Sequence, residues 1–161
     1  CYIRFGREAV PVVTTEDTPF QIGKNRLVRE GSDVTYLANG YLVYQAIQAA
    51  ERLTAEGISA RVVDVHTVKP LDTTDIIRHA QETGAVVICE EHQIYGGLGS
   101  AVCEVLAENS CAVAERIGIS DSFGESGKPE ELIEQYGLGV DTLCASARRV
   151  LQIKQKRTGG I

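Results

Sequence analysis

Short apolar segments alternate with amphipathic helical segments along most of this sequence, and this alternation constrains the fold more than any other feature. The apolar segments span residues 34–38, 60–65, 85–90 and 112–119. Strands of this kind, apolar nearly throughout and separated by helices, are typical of a parallel sheet covered on both faces. The helical segment at 41–56 shows the pattern well, because its apolar residues trace one helix face: Leu42, Val43, Ala46, Ile47, Ala50 and Leu53.

The predicted fold is therefore of the α/β class: a three-layer αβα domain around a mostly parallel sheet of about five strands. Residues 24–30 form a further short strand, which we expect to be antiparallel at the sheet edge. Length and composition agree with one core, since the chain has 161 residues, of which 43% are hydrophobic.

Residues that start and stop helices place the boundaries of the helical segments. Asp72 or Thr73 is expected to cap one helix that Gly84 ends. A third helix is predicted from about residue 98 to 108. Pro129 is expected to open a short helix, and Asp141 to cap the last one.

Charge and hydropathy exclude two classes of partner. The net charge is -6, and no basic block is longer than residues 154–157, so a nucleic-acid partner is not expected. No apolar run approaches the roughly 20 residues of a membrane helix, and the N-terminus does not have the order of a signal peptide. We therefore expect a cytoplasmic protein, and the start without Met suggests a piece of a longer chain.

The cysteines do not predict a metal site. There are five, none forms CxxC, and their spacings fit no zinc pattern. We expect all five to be reduced thiols in the core or at the surface, and we assign no metal ligands. The five are Cys1, Cys89, Cys103, Cys111 and Cys144.

Polar residues follow the predicted strands where ligands collect in such a sheet, beyond the carboxyl ends. His66 and His92 end neighbouring strands, and Lys69 lies near them. Hydrogen-bonding, interface or direct substrate roles all remain open for this cationic edge. His79, inside a helix beside Arg78, is expected to be exposed. No hydrolase elbow, Walker loop or HExxH is present, so no catalytic residue is assigned.

A glycine-rich loop between a strand and a helix raises the question of phosphate binding. It contains Gly96, Gly97 and Gly99, followed by Ser100-Ala101-Val102. Free N–H groups at a helix start favour an anion, but the spacing is one glycine short of a dinucleotide fingerprint, and Glu90 and Glu91 precede it. Close packing or a domain contact is therefore favoured over nucleotide binding.

Several short motifs occur together in a fixed order. They are FQIGK at 20–24, VKPLD at 68–72, EEH at 90–92, GGLG at 96–99, FGESG at 123–127 and YGL at 136–138. With these motifs the chain resembles the C-terminal domain of the transketolase family over residues 2–151. It looks most like the C-terminal subunit of split transketolases.

The resemblance implies a transferase of carbohydrate and pentose-phosphate metabolism that moves two-carbon ketol units between sugar phosphates. It implies thiamine diphosphate and Mg²⁺, held by a cofactor-binding domain and a pyrimidine-binding domain on the same or a separate chain, in a homodimer. Residues 1–23 would be the end of the pyrimidine-binding domain and a linker, 24–155 the C-terminal domain, and 156–161 a tail. This piece alone is expected to bind no cofactor and to be inactive.

The resemblance also suggests roles for single residues. Arg4 is the best match to the arginine that binds substrate phosphate, with Arg7 as the runner-up, although a surface linker arginine is the alternative. In deoxyxylulose-phosphate synthases an arginine occupies the place of His66. Residues expected at the substrate entrance or a domain interface are His66, Lys69, His92, Gly96, Gly97 and Gly99.

Two other functions stay open at this point. In two-oxo-acid dehydrogenase beta subunits the related domain is an interaction module that docks an acyltransferase core. The second alternative is a regulatory domain that binds a small ligand or a nucleotide at the glycine loop. The donor and acceptor sugars are not predicted.

Overall fold

The computed structural model describes residues 1–6, 9–109 and 112–159. Ten helices and strands lie in the described part of the chain, in the predicted order. They are β1 (Arg26–Arg29), β2 (Val34–Ala38), α1 (Tyr41–Thr54), β3 (Ala60–Asp64), α2 (Thr73–Thr83), β4 (Ala85–Gln93), α3 (Leu98–Asn109), β5 (Val113–Ile119), α4 (Pro129–Gln135) and α5 (Val140–Thr158).

The five strands form one sheet in the order β1-β3-β2-β4-β5. Strands β3, β2, β4 and β5 are mutually parallel, and β1 pairs with β3 in the antiparallel direction. The prediction of a mostly parallel sheet with an antiparallel edge strand is confirmed.

Helices cover both faces of the sheet, which makes three layers. One core lies between the sheet and helices α1 and α5, with Tyr36 and Leu143 among its members. The other lies between the sheet and helices α2 and α3, with Leu37 and Leu98 among its members. Since neighbouring strand residues point to opposite faces, Tyr36 and Leu37 enter different cores, and all five residues of β2 are buried.

Most predicted boundaries agree with the structure. Asp72 is the N-cap of α2, where its carboxylate accepts the N–H of Asp75 at 3.4 Å. Gly84 ends that helix with a φ of 63°, a conformation that glycine adopts at no steric cost. Pro129 opens α4 as predicted.

The prediction that Asp141 caps the last helix is wrong. Helix α5 begins at Val140, and its N-cap is Gly139, which makes no side-chain cap bond. Asp141 lies inside the first turn instead, and its carboxylate pairs with the guanidinium of Arg52 in α1. The helix continues to Thr158, so it runs into the segment that was assigned to a tail.

Strand β4 is longer than predicted because the sheet continues past a register shift. After the shift, Gln93 pairs with Ile119 of β5, and the N–H of Ile94 donates to the Ile119 carbonyl at 2.9 Å. The thiols of Cys1, Cys89, Cys103 and Cys144 are free, and Cys111 lies outside the described residues. In the described ranges, none of the helices combines the length and the apolar character that a membrane span requires.

Candidate functional site

The parallel strands β2, β3 and β4 end at the same edge of the sheet, which we call the carboxyl edge. The segments that follow them are 39–40, 65–72 and 94–97. Backbone hydrogen bonds join these three strands near their ends. The N–H of Val65, after β3, donates to the Ala38 carbonyl of β2 at 2.8 Å. The N–H of Asn39 donates to the Cys89 carbonyl at 3.3 Å. The predicted site residues that follow β3 and β4 are therefore brought to one edge.

The start of helix α3 already holds an anion, which is the side chain of Glu90. This carboxylate accepts the N–H of Leu98 through Oε2 and the N–H of Gly99 through Oε1, both at 2.8 Å. Glu90, three residues before the end of β4, is only 3% exposed. The first-turn amides that would hold a phosphate are thus bound to the chain's own carboxylate.

This carboxylate limits the space at two of the loop glycines, and Arg116 also does so at Gly99. A Cβ added to Gly97 would lie 2.0 Å from Oε2 of Glu90, which is far inside van der Waals contact. A Cβ on Gly99 would lie 3.1 Å from Oε1 of Glu90 and 2.9 Å from Cδ of Arg116. Gly96 differs, because space around it is open but its φ is 77°. The geometry supports close packing over phosphate binding for this loop.

Arg116 supports the same loop from β5, and the sequence did not single it out. Its Nη1 donates to the Ile94 carbonyl at 3.0 Å, and its guanidinium lies 5.6 Å from the ring centroid of Tyr95. The available signal was a charged residue in the middle of an apolar strand. For Glu90 the signal was an acid directly after five apolar residues.

His66 lies at the carboxyl edge beside the N-terminal segment. Its ring centroid is 4.6 Å from that of Phe20, and its Nδ1 is 2.9 Å from the hydroxyl oxygen of Thr67. A depression of about 220 Å³ adjoins it, where Arg26 and Asp64 form an ion pair at 3.1 Å. Its other lining residues are Thr14, Thr15, Thr18, Pro19 and Phe20.

His92 and Lys69 are exposed at the same edge. Nδ1 of His92 donates to the Gln93 carbonyl at 3.1 Å. His66 and His92 thus use different partners, so these hydrogen bonds do not join the two rings into a pair.

Arg4 reaches the carboxyl edge from the N-terminal segment. Its Nη2 donates to the main-chain carbonyl of Glu91 at 3.1 Å. The rest of its side chain is exposed. The structure therefore places Arg4 against the loop that carries His92, while Arg7 lies outside the described residues.

His79 is buried, so the prediction that it is exposed is wrong. It is 1% exposed and lies on the same face of α2 as Ile76 and Ala80, toward the sheet. Its Nδ1 accepts a bond from Nη1 of Arg61 at 2.9 Å, because a guanidinium only donates. Its Nε2 lies 3.0 Å from Nη2 of Arg78 and 3.3 Å from Oδ2 of Asp75. Burial lowers the pKa of His79 below 6.5, against the opposing effect of the Asp75 carboxylate.

Comparisons with known proteins give a consistent picture. The family model for the transketolase C-terminal domain matches residues 23–143. The chain is 44% identical over 156 residues to the 6-deoxy-6-sulfo-D-fructose transketolase subunit SqwH of Clostridium sp. (strain MSTE9), covering 97% of this chain and 48% of that protein. It is 42% identical over 147 residues to an apulose-4-phosphate transketolase subunit of Phocaeicola vulgatus, covering 91% of this chain and 47% of that protein.

A solved structure agrees with these relatives. It is described as a split gene transketolase, inactive beta4 tetramer, and matches with a TM-score of 0.89 and 44% identity. The match covers 92% of this chain and 49% of that chain. The chain thus spans about half the length of these relatives.

Proposed function

The chain belongs to the family of transketolase C-terminal domains, and from this premise we propose that it serves in a thiamine-diphosphate enzyme that transfers two-carbon ketol units between sugar phosphates. The observation that carries the proposal is the family match over residues 23–143, together with the 0.89 TM-score to a split transketolase. The two curated relatives are named for different sugars, so the proposal names a substrate class and no single donor or acceptor.

The N-terminal segment supports a division of the chain into two parts. Residues 1–6 and 9–23 contain no helix or strand, and large apolar side chains are exposed there: Tyr2 at 88%, Phe5 at 85% and Val12 at 85%. Exposed apolar side chains in one segment are typical of a surface that another protein part covers. We assign residues 1–23 to the end of a preceding pyrimidine-binding domain and its linker, and 24–155 to this domain.

We propose that the cofactor is held by residues other than the described ones of this chain. A diphosphate needs N–H donors or a metal-binding cluster, and the α3 amides of Leu98 and Gly99 are bound to Glu90. In the described part of the chain, no three His, Cys, Asp or Glu side chains come together in a group that could hold a metal ion. Thiamine diphosphate and Mg²⁺ are accordingly assigned to the other domains, on the same or a separate chain of a cytoplasmic, homodimeric enzyme.

This chain would then contribute substrate binding at the carboxyl edge. Arg4 donates one N–H to the Glu91 carbonyl, and its remaining N–H groups can bind phosphate oxygens in pairs. Lys69, His66 and His92 lie on the same edge and add polar or cationic groups. Arg7 is the second candidate for the phosphate.

The test is ketol transfer by the complete protein, combined with the chain or region that carries the cofactor-binding domain. We expect transfer between sugar phosphates only when both parts and the cofactor are present. Transfer by this part alone would contradict the proposal. Recovery of a lipoyl-bearing partner without any ketol transfer would favour the dehydrogenase alternative.

Arg4→Ala tests the substrate role in the same assay. We expect KM for sugar phosphates to rise about 10-fold or more with kcat little changed, since a phosphate contact remote from the reacting carbons binds ground state and transition state alike. Arg157→Ala, in the exposed last turn of α5, is the matched control and should change neither constant. An unchanged KM for Arg4→Ala would remove Arg4 from the site.

A further inference from the structure

Several described contacts hold residues 91–97, which comprise the last three residues of β4 and the turn before α3 and are called the loop 91–97 below. Glu90 binds the amides of Leu98 and Gly99 from one side of it. The N–H of Gly96 donates to the hydroxyl of Ser100 at 2.8 Å, and Arg116 binds the Ile94 carbonyl. These bonds connect the loop to β4, β5 and α3.

We propose that Glu90 is a positioning residue: its buried carboxylate closes the loop 91–97 and thereby sets where Arg4 and His92 stand at the carboxyl edge. The expected effect of Glu90 on KM rests on the proposed function. The closing of the loop by Glu90 rests on the fold alone.

The link from Glu90 to Arg4 is short and continuous. Glu91 follows Glu90 directly, and its main-chain carbonyl accepts the bond from Arg4 at 3.1 Å. His92 is the next residue, and its exposed ring donates to the Gln93 carbonyl. The acceptor of Arg4 and the ring of His92 thus lie one and two residues after Glu90 along β4.

The glycine at position 97 supports this assignment independently. Its φ is not in the left-handed region, so no backbone conformation demands glycine there. A Cβ at position 97 would lie 2.0 Å from Oε2 of Glu90, so the carboxylate would have to move to admit a side chain. Glycine at 97 therefore lets the carboxylate keep its bonds to the amides of Leu98 and Gly99.

A double-mutant cycle on the complete protein tests the structural part without any activity. Gly97→Ala should lower Tm by about 8 °C because the methyl collides with the carboxylate. In a Glu90→Ala background the same change should lower Tm by less than about 2 °C, since the collision partner is gone. Gly124→Ala, which meets open space at a φ outside the left-handed region, is the control and should have no effect. Equal losses from Gly97→Ala in both backgrounds would overturn the proposal.

The kinetic part is tested with Glu90→Gln in the reconstituted enzyme. The amide keeps the size of the side chain but can accept only one of the two N–H bonds. We expect KM for sugar phosphates to rise about 5-fold or more with a smaller change in kcat, and Arg4→Ala to add less than about 2-fold in this background.

The outcomes separate the two claims. If the effects of Glu90→Gln and Arg4→Ala on KM add in the double variant, the positioning role is overturned, because additive effects mean that the two residues act independently. Absence of ketol transfer in the wild-type enzyme would instead contradict the proposed function, and the Tm cycle would still decide whether Glu90 closes the loop.

Discussion

Helices α2 and α3 lie on the same face of the sheet, and both begin at an acidic side chain that binds first-turn amides. For α2 the acid is Asp72, the residue directly before the helix, with one bond to the Asp75 N–H at 3.4 Å. For α3 it is Glu90, eight residues earlier in β4, with two bonds at 2.8 Å. The cap that the local sequence reveals is the weaker one, and the stronger cap comes from a different element.

The two helices also differ in what they bury. Helix α3 buries Val102 and Leu106, whereas α2 buries His79 beside Ile76 and Ala80. Arg61 from β3 lies against that histidine and also pairs with Glu82. Helix α2 is therefore held to the sheet partly by ionisable groups, and α3 mainly by apolar contacts.

The largest effect should come from removing the non-local cap. Glu90→Ala takes away two charge-assisted bonds and leaves two buried amides without their acceptor. We expect a loss of about 3 kcal/mol in the free energy of unfolding. Urea unfolding measures it, with Glu91→Ala as an exposed neighbour that should change stability by less than about 0.5 kcal/mol. A loss as small as that of Asp72→Ala would erase the contrast between the two helix starts.

The next effect is a pH dependence that belongs to α2. Burial lowers the pKa of folded His79 below 6.5, so the unfolded chain binds more protons below that pH. Stability should fall as the pH drops from about 7 toward 5, with a slope of at most about 1.4 kcal/mol per pH unit.

His79→Gln tests this origin, because an amide can accept from Arg61 and donate to Asp75 without titrating. Unfolding curves at several pH values should show a smaller slope for the variant between pH 5 and 6.5. At pH 8 both proteins should agree within about 1 kcal/mol. An unchanged slope would mean that other groups carry the pH dependence.

Removing the local cap should cost less. Asp72→Ala is expected to lower the free energy of unfolding by about 1 kcal/mol, the usual value for an N-cap acid. Asp72→Asn keeps an acceptor and should recover most of this loss. A loss near 3 kcal/mol for Asp72→Ala would mean that this cap stabilises its helix as much as Glu90 stabilises α3, despite the longer hydrogen bond.

The smallest effect concerns the ion pair beside that cap. Lys24 approaches Asp72 at 3.4 Å, but its side chain is 58% exposed. Lys24→Ala should change the free energy of unfolding by about 0.3 kcal/mol, and salt should remove the difference. Comparing both proteins at low and high salt checks it. A larger loss in the free energy of unfolding that salt does not reduce would mean that the methylene groups of Lys24 stabilise the fold by packing.

The predictions for His79 and Asp141 were wrong, each for its own structural reason. In the structure Ile76 and Ala80 face the sheet, and His79 lies on that same face. Its polar side chain suggested solvent, because the partner that satisfies it, Arg61, is 18 residues away. Asp141 has the residue type of a cap, but the N-cap is Gly139, so the helix begins two residues earlier than predicted.

The sequence alone determined the strand and helix order, the antiparallel edge strand and the C-terminal end of α2, because apolar periodicity, glycine and capping residues act over a few neighbouring positions. Only the tertiary structure decided that Glu90 occupies the start of α3, that Arg116 holds the Ile94 carbonyl, and that His79 is buried against Arg61. These contacts join different elements. They form only when the sheet brings the elements together, so no local pattern encodes them.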